Sequence, residues 1–248
     1  MFLDTAVESE WDKLLPLGIF HGVTTNPTLL ERANQPCTVS NLHAMAKRVL
    51  RKYNCQEFMC QAWGTTSEQL YDVGMKLSCL DLDDDDVNDE SKTQLLEPNK
   101  RMVIKLPVTV EGTKAASMLI QSGVRVCLTA CYASHQALVA TAVGAEYLAP
   151  YLGRMNDAGK NGMKEIKTMQ QIAETCCSKY SPGNSKRTRI FVASMRDVES
   201  MVKLAVDGLD TFTFSPDIAR ALFMEPLTEQ ATHDFELAAQ RNGAGAFK

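Results

Sequence analysis

Short runs of consecutive apolar residues alternate along this chain with longer stretches in which apolar residues recur every three to four positions. The first pattern suits a strand buried on both faces, and the second is the stripe of an amphipathic helix. Runs of the first kind predict strands at 2–5, 22–27, 57–62, 102–107, 124–129, 145–149, 189–194 and 211–214. Helical spacing covers 7–16, where Val7, Trp11, Leu14 and Leu15 share one face. It returns at 38–52, through Leu42, Met45, Ala46 and Val49, and again at 66–79, from Val110 onward, at 132–143, 163–178, 198–205 and 228–240. Ser215-Pro216-Asp217 opens one more helix, with serine as cap and proline at the first helical position.

Eight strands alternating with helices over 248 residues have the count and size of a (β/α)8 TIM barrel. The alternative α/β arrangement, a doubly wound sheet, usually carries a glycine-rich phosphate loop after its first strand. Here that position reads Asp4-Thr-Ala-Val-Glu8, without glycine, which favours the barrel. A single barrel domain is expected over 1–248, with an acidic insertion at about 81–100 and a helical tail at about 228–248. Asp81, Asp83 and Asp85 have the spacing of a calcium loop, but Asp86 stands where that loop needs glycine and Lys92 where it needs glutamate. The run therefore reads as a solvated face between a helix and the next strand, on the side of a barrel away from its active site.

Composition narrows the partners. With 45% hydrophobic and 23% charged residues and a net charge of -4, the chain has an ordinary core-forming balance and no basic field for nucleic acid. No stretch reads as a leader or a membrane span. The eight cysteines form no CxxC pair, and the four histidines form no metal-type pair. A metal at Cys127 and Cys131 is only weakly suggested; reduced, buried cysteines in a cytoplasmic protein fit the spacing better.

Barrel enzymes gather their chemistry at the C-terminal ends of the strands. In this chain those ends carry Asp4, Thr25, Asn26, Gln61, Lys105, Thr129, Tyr151, Arg154, Ser194 and Arg196. Lys105 closes the apolar run Met102-Val103-Ile104, two residues before Pro107. Facing a barrel interior, such a lysine is drawn out of water, which disfavours an ammonium relative to a neutral amine able to attack a carbonyl. Each residue alone also has a plain structural reading: Asp4 as a helix cap, Asn26 as a turn, Lys105 as a lysine reaching solvent, and the arginines as surface charges. Those readings do not account for so many polar groups at matching strand ends.

The segments Gly22-Val-Thr-Thr-Asn-Pro27, Val103-Ile-Lys-Leu-Pro-Val-Thr-Val-Glu-Gly112, Gly144-Ala-Glu-Tyr-Leu-Ala-Pro-Tyr-Leu-Gly-Arg154 and Val192-Ala-Ser-Met-Arg196 resemble the transaldolase family. The likeness is closest to its small single-barrel branch that includes fructose-6-phosphate aldolase. It implies a (β/α)8 fold in which Lys105 forms a Schiff base with a ketose, and the iminium serves as electron sink in place of a metal. No cofactor is then needed. It further implies that Asp4 handles the hydroxyl proton and that Thr25 and Asn26 bind substrate. A water held by Gln61 and Thr129 works with Tyr151 as acid and base, and Arg154, Ser194 and Arg196 clamp a phosphate. Gln61 stands where transaldolases proper carry glutamate and Tyr151 where they carry phenylalanine, so the resemblance leans to aldol cleavage of a fructose 6-phosphate-type ketose. Transfer of a dihydroxyacetone unit between sugar phosphates is the alternative, and a non-catalytic sugar-phosphate-binding barrel is a third. By the same resemblance the terminal helix, with Phe235 and Phe247, packs on a neighbouring subunit of a ring-like homo-oligomer, a pentamer or decamer.

Overall fold

The computed structural model describes residues 1–82, 98–180 and 187–245. Eight strands, β1 (Phe2–Asp4), β2 (Gly22–Thr24), β3 (Glu57–Gln61), β4 (Met102–Pro107), β5 (Arg125–Cys131), β6 (Tyr147–Pro150), β7 (Arg189–Val192) and β8 (Thr211–Phe214), follow one another in order. Each pairs in parallel with the next, and β8 closes on β1 through Phe2↔Thr213 and Leu3↔Phe214. The sheet is a closed barrel with helices between the strands, as the alternating pattern predicts.

The described α-helices are α1 (Glu8–Leu14), α2 (Pro27–Arg32), α3 (Val39–Lys47), α4 (Ser67–Ser78), α5 (Val110–Gln121), α6 (Gln136–Val143), α7 (Leu152–Asp157), α8 (Gly162–Tyr180), α9 (Val198–Val206), α10 (Pro216–Ala221) and α11 (Pro226–Arg241). Local chemistry sets their starts. Thr38, Thr66, Thr109, Asp197 and Ser215 each accept a backbone N–H from the first turn, which satisfies a donor that has no partner within the helix. Helices α2 and α7 depart from the predicted pattern, because six residues are too few to display a helical period. The 22–27 segment is correspondingly shorter as a strand: it leaves the sheet after Thr24, and Asn26 caps α2, with Pro27 at its first position. Most of the acidic run, residues 83–97, and Phe247 lie outside the described residues.

Alternation along the strands divides the core in two. Leu3, Val23, Phe58, Cys60, Ile104, Leu106, Val126 and Leu128 pack outward under the helices. Phe2, Met59, Val103, Cys127, Tyr147, Ala149 and Phe191 fill the interior. With Val103 inward and Ile104 and Leu106 outward, parity turns Lys105 inward, one step nearer the C-terminal end.

The N-terminal end of the barrel is closed by ions rather than hydrocarbon. Arg125 donates to Glu57 Oε1 at 2.6 Å, to both carboxylate oxygens of Glu146 at 2.7 Å and to the Lys100 carbonyl at 2.7 Å. Tyr147 donates its hydroxyl to Glu57 Oε2 at 2.9 Å, and the Arg189 guanidinium lies 4.3 Å from the Tyr147 ring centre. Burial pulls the Arg125 guanidinium down, but the hydrogen bonds to Glu146 and Glu57 outweigh it and hold the group above its ordinary value.

Candidate active site

A cavity of about 640 Å³ opens at the C-terminal end of the barrel. Its wall includes every strand-end residue picked out above except Thr25. The floor is Lys105, only 4% exposed, whose Nζ donates to the Thr25 carbonyl at 3.1 Å. That bond explains the position of Thr25: it meets Lys105 through its backbone, while its hydroxyl is buried without a hydrogen-bond partner among the described residues. Strand register sets the neighbours. Gln61 lies directly beside Lys105 across β3 and β4, and Thr129 stands opposite Pro107, one inward step above Cys127.

Thr129 and Tyr151 are joined hydroxyl to hydroxyl at 2.9 Å. The β5–β6 register slips between Leu128 and Cys131, and Ala130 takes a left-handed φ of 56° within the slip. Such a bulge bends a strand and re-aims its side chains, here at the rim that carries Thr129. The Tyr132 ring meets Tyr151 edge to face at 5.5 Å, so the phenol is braced from the side.

Asp4 sits on the opposite wall. Its Oδ1 accepts from Thr24 Oγ1 at 2.6 Å, and Thr24 Oγ1 lies 2.7 Å from Thr213 Oγ1. Both threonines are at most 2% exposed. Neither is among the residues expected from the strand ends. The signal was nonetheless there: in Gly22-Val23-Thr24 and in Thr211-Phe212-Thr213-Phe214 the apolar residues alternate outward, which turns Thr24 and Thr213 inward. Asn26 also lines the cavity while its Oδ1 accepts from Leu29 N at 3.0 Å.

The third wall is cationic. Arg154 stacks 5.3 Å from the Tyr151 ring centre, and a hydrogen bond from its side chain to Tyr132 raises its already high pKa. Arg196 pairs with Asp157 at 2.7 Å, a partner the sequence pattern did not single out. Ser194 has a left-handed φ of 58°, and its carbonyl accepts from Gly153 N at 2.9 Å. Gly153 has to be glycine: a Cβ there would lie 2.4 Å from Arg196 Nε and 2.5 Å from the Ser194 carbonyl. Arg32, on α2, adds a further cation to the rim.

Among the described residues no group of three or more His, Cys, Asp or Glu side chains is placed to hold a metal ion, and no helix is long and apolar enough to cross a membrane. Cys127 and Cys131 are buried, and desolvation pushes both thiols up to about 12. Cys131 Sγ faces the Ala133 carbonyl and Met169 rather than Cys127.

A closed parallel barrel that collects a buried lysine, a carboxylate, a phenol and arginines in one cup at its C-terminal end has the form of the barrel enzymes that work from that face. The profile described as Transaldolase/Fructose-6-phosphate aldolase matches residues 1–245, and the chain belongs to that family. Among curated relatives, a protein of Dictyoglomus turgidum named "Probable transaldolase" is 30% identical over 235 residues, covering 95% of each chain. A namesake from Brucella anthropi is 30% identical over 234 residues, covering 94% of this chain and 93% of its own. A third, from Hyphomonas neptunium, is 28% identical over 242 residues, covering 98% and 97%. Among solved structures, a thiamine phosphate pyrophosphorylase from Pyrococcus furiosus superposes with a TM-score of 0.53 at 14% identity, covering 89% of this chain and 90% of its own, a likeness of fold alone.

Proposed function

We propose that this chain is a Schiff-base aldolase that cleaves and forms ketoses of the fructose 6-phosphate type. The observation that carries the reading is the position of Lys105: a buried amine at the base of the cavity, beside Gln61 and below the Thr129–Tyr151 pair. Its nitrogen attacks the ketone carbon, and loss of water leaves an iminium. Asp4 takes the proton of the hydroxyl on the carbon that departs. The carbon–carbon bond breaks, its electrons move into the iminium to give an enamine, and an aldehyde is released. Tyr151, bonded to Thr129, supplies the proton that converts the enamine carbon back to an iminium; hydrolysis then frees dihydroxyacetone and restores the amine.

Arg154 and Arg196, with Ser194, hold the phosphate at the other end of the substrate, and guanidinium pairs suit phosphate geometry. Glyceraldehyde 3-phosphate is then the aldehyde product. A transaldolase is the second reading, favoured by the names of the relatives. In it the enamine waits for an aldehyde acceptor instead of a proton. The ring-like homo-oligomer also belongs to this proposal. Helix α11 has no buried residue and carries Leu227 at 79% and Phe235 at 73% exposure, surface that a neighbouring subunit would cover. A cytoplasmic setting accords with the free thiols of Cys55, Cys60 and Cys127.

Two measurements test the reading. Borohydride added with fructose 6-phosphate or dihydroxyacetone should fix an adduct on Lys105, located by mass spectrometry; its absence with either ketose sinks both enzyme readings. Release of free dihydroxyacetone without any aldehyde acceptor identifies the aldolase, and strict dependence on an acceptor identifies the transaldolase.

A further inference from the structure

Three side chains from three strands meet at the seam where the barrel closes. Asp4 on β1 lies opposite Thr24 on β2 in register, and Thr213 on β8 reaches across the interior to the same hydroxyl. The donor count fixes the order. Thr24 has one hydroxyl proton, and Asp4 Oδ1 accepts it at 2.6 Å. The 2.7 Å contact between Thr24 and Thr213 must then be donated by Thr213. The protons point one way, Thr213 to Thr24 to Asp4. Among the described residues no hydrogen bond reaches Asp4 Oδ2. That oxygen is left for the cavity, which Asp4 and Thr213 both line.

We propose that Thr213 is a positioning residue for the reaction: acting through Thr24, it fixes Asp4 Oδ1 so that Oδ2 is held toward the hydroxyl whose proton it takes. The inference rests on the proton-acceptor role given to Asp4 in the proposed function. Among the described residues the Thr24 hydroxyl has no other donor, so without Thr213 it keeps its bond to Asp4 but loses the partner that sets its rotation and polarises it. Chains of hydroxyls reinforce one another in this way when buried. The consequence falls on the bond-breaking step. Schiff-base formation on dihydroxyacetone involves no proton transfer from a departing carbon's hydroxyl and is untouched.

The test uses the full chain and its Thr213→Val, Thr213→Ser, Thr24→Val and Thr24→Val/Thr213→Val variants, with fructose 6-phosphate cleavage and borohydride trapping of dihydroxyacetone on Lys105 measured side by side. Thr213→Val should lower kcat about tenfold with little change in KM, the usual scale for one lost orienting bond. It should trap dihydroxyacetone at the parent rate. Thr213→Ser should restore most of kcat. The double variant should be no slower than Thr24→Val alone, because Thr213 acts only through Thr24. Independent, multiplying losses in the double variant, or a Thr213→Val loss that appears equally in trapping and is not restored by serine, would overturn the inference. A parent chain that forms no adduct on Lys105 would remove the Schiff-base reading itself, and this inference with it.

Discussion

Replacing Arg125 with methionine should destabilise the barrel severely while leaving its chemistry alone. Arg125 is 15% exposed at its side chain and is shared between Glu57, 7% exposed, and Glu146, 13% exposed. Methionine fills much of the same space but leaves two shielded carboxylates facing each other without the cation between them. Among the described residues Glu57 then keeps the Tyr147 hydroxyl and the His21 ring at 3.3 Å, and the partners left to Glu146 include Arg189 at 3.5 Å. Breaking a buried ion pair by removing one partner costs about 3–5 kcal/mol. A domain has about 5–15 kcal/mol in total. With a urea slope near 3 kcal/mol/M, the unfolding midpoint should fall by about 1–1.7 M without a change in slope. The triple variant Arg125→Met/Glu57→Gln/Glu146→Gln should recover much of that loss, since it strands no charge. Cleavage per folded molecule should stay within about twofold of the parent, because the cluster lies at the barrel end away from the cavity. A midpoint shift worth under about 1 kcal/mol, or a triple variant no better than the single one, would refute the argument that these charges are shielded and mutually dependent.

Three other outcomes follow from the site and the core. Tyr151→Phe should lower acceptor-free cleavage by about 100-fold, the lower range for losing a general acid, and transfer to an added aldehyde by far less; equal losses in the two assays would undercut the proton-donor role. Gly153→Ala forces Arg196 and the Ser194 carbonyl away from contacts of 2.4 and 2.5 Å with the new Cβ. KM for a phosphorylated ketose should rise about tenfold with dihydroxyacetone trapping unchanged, and an unaltered KM would take Arg196 and Ser194 out of phosphate binding. Finally, burial pushes the thiols of Cys60, Cys127 and Cys131 from 9.0 up to about 12. An unfolded chain loses those protons first, so this stabilisation is intact below pH 9 and is lost as the pH rises toward 12. At pH 10 the loss is about 1.4 kcal/mol per thiol, on the order of 4 kcal/mol for the three. Urea titrations at pH 8 and pH 10 check it, and a Cys60→Ala/Cys127→Ala/Cys131→Ala chain that loses just as much would show that other groups set the alkaline limit.

What could be read from the chain alone was whatever a period of two or of 3.6 imposes over enough residues. The strands are short apolar runs because helices cover them on one side and the interior core fills the other, so all eight were visible. Lys105 was visible for the same reason, as a cation ending such a run. The six-residue helices α2 and α7 were not, since neither completes two turns. Between Thr24 and Thr25 the choice depended on parity, and the chain leaves strand geometry just where the two meet: Thr24 turns inward to Asp4 and Thr25 lends only its carbonyl. Pairings between distant segments left no local trace. Asp157 with Arg196, Tyr132 with Arg154, and Thr213 with Thr24 are set by closure of the barrel, not by spacing. The β5 bulge at Ala130 was likewise silent, because alanine is not a residue that signals a left-handed φ.

Asn26 ties the wall of the cavity to the start of α2. Its oxygen is already engaged at Leu29 N, holding the first turn of α2 in place. A ligand that drew that oxygen away from Leu29 N would uncap the helix, at a cost of about 1 kcal/mol. A ligand that instead offers a lone pair to the amide nitrogen leaves the cap intact. On the proposed substrate-binding role of Asn26, the cap thus fixes the orientation of its amide: turning the group over to present the other end to a ligand would cost the helix its cap.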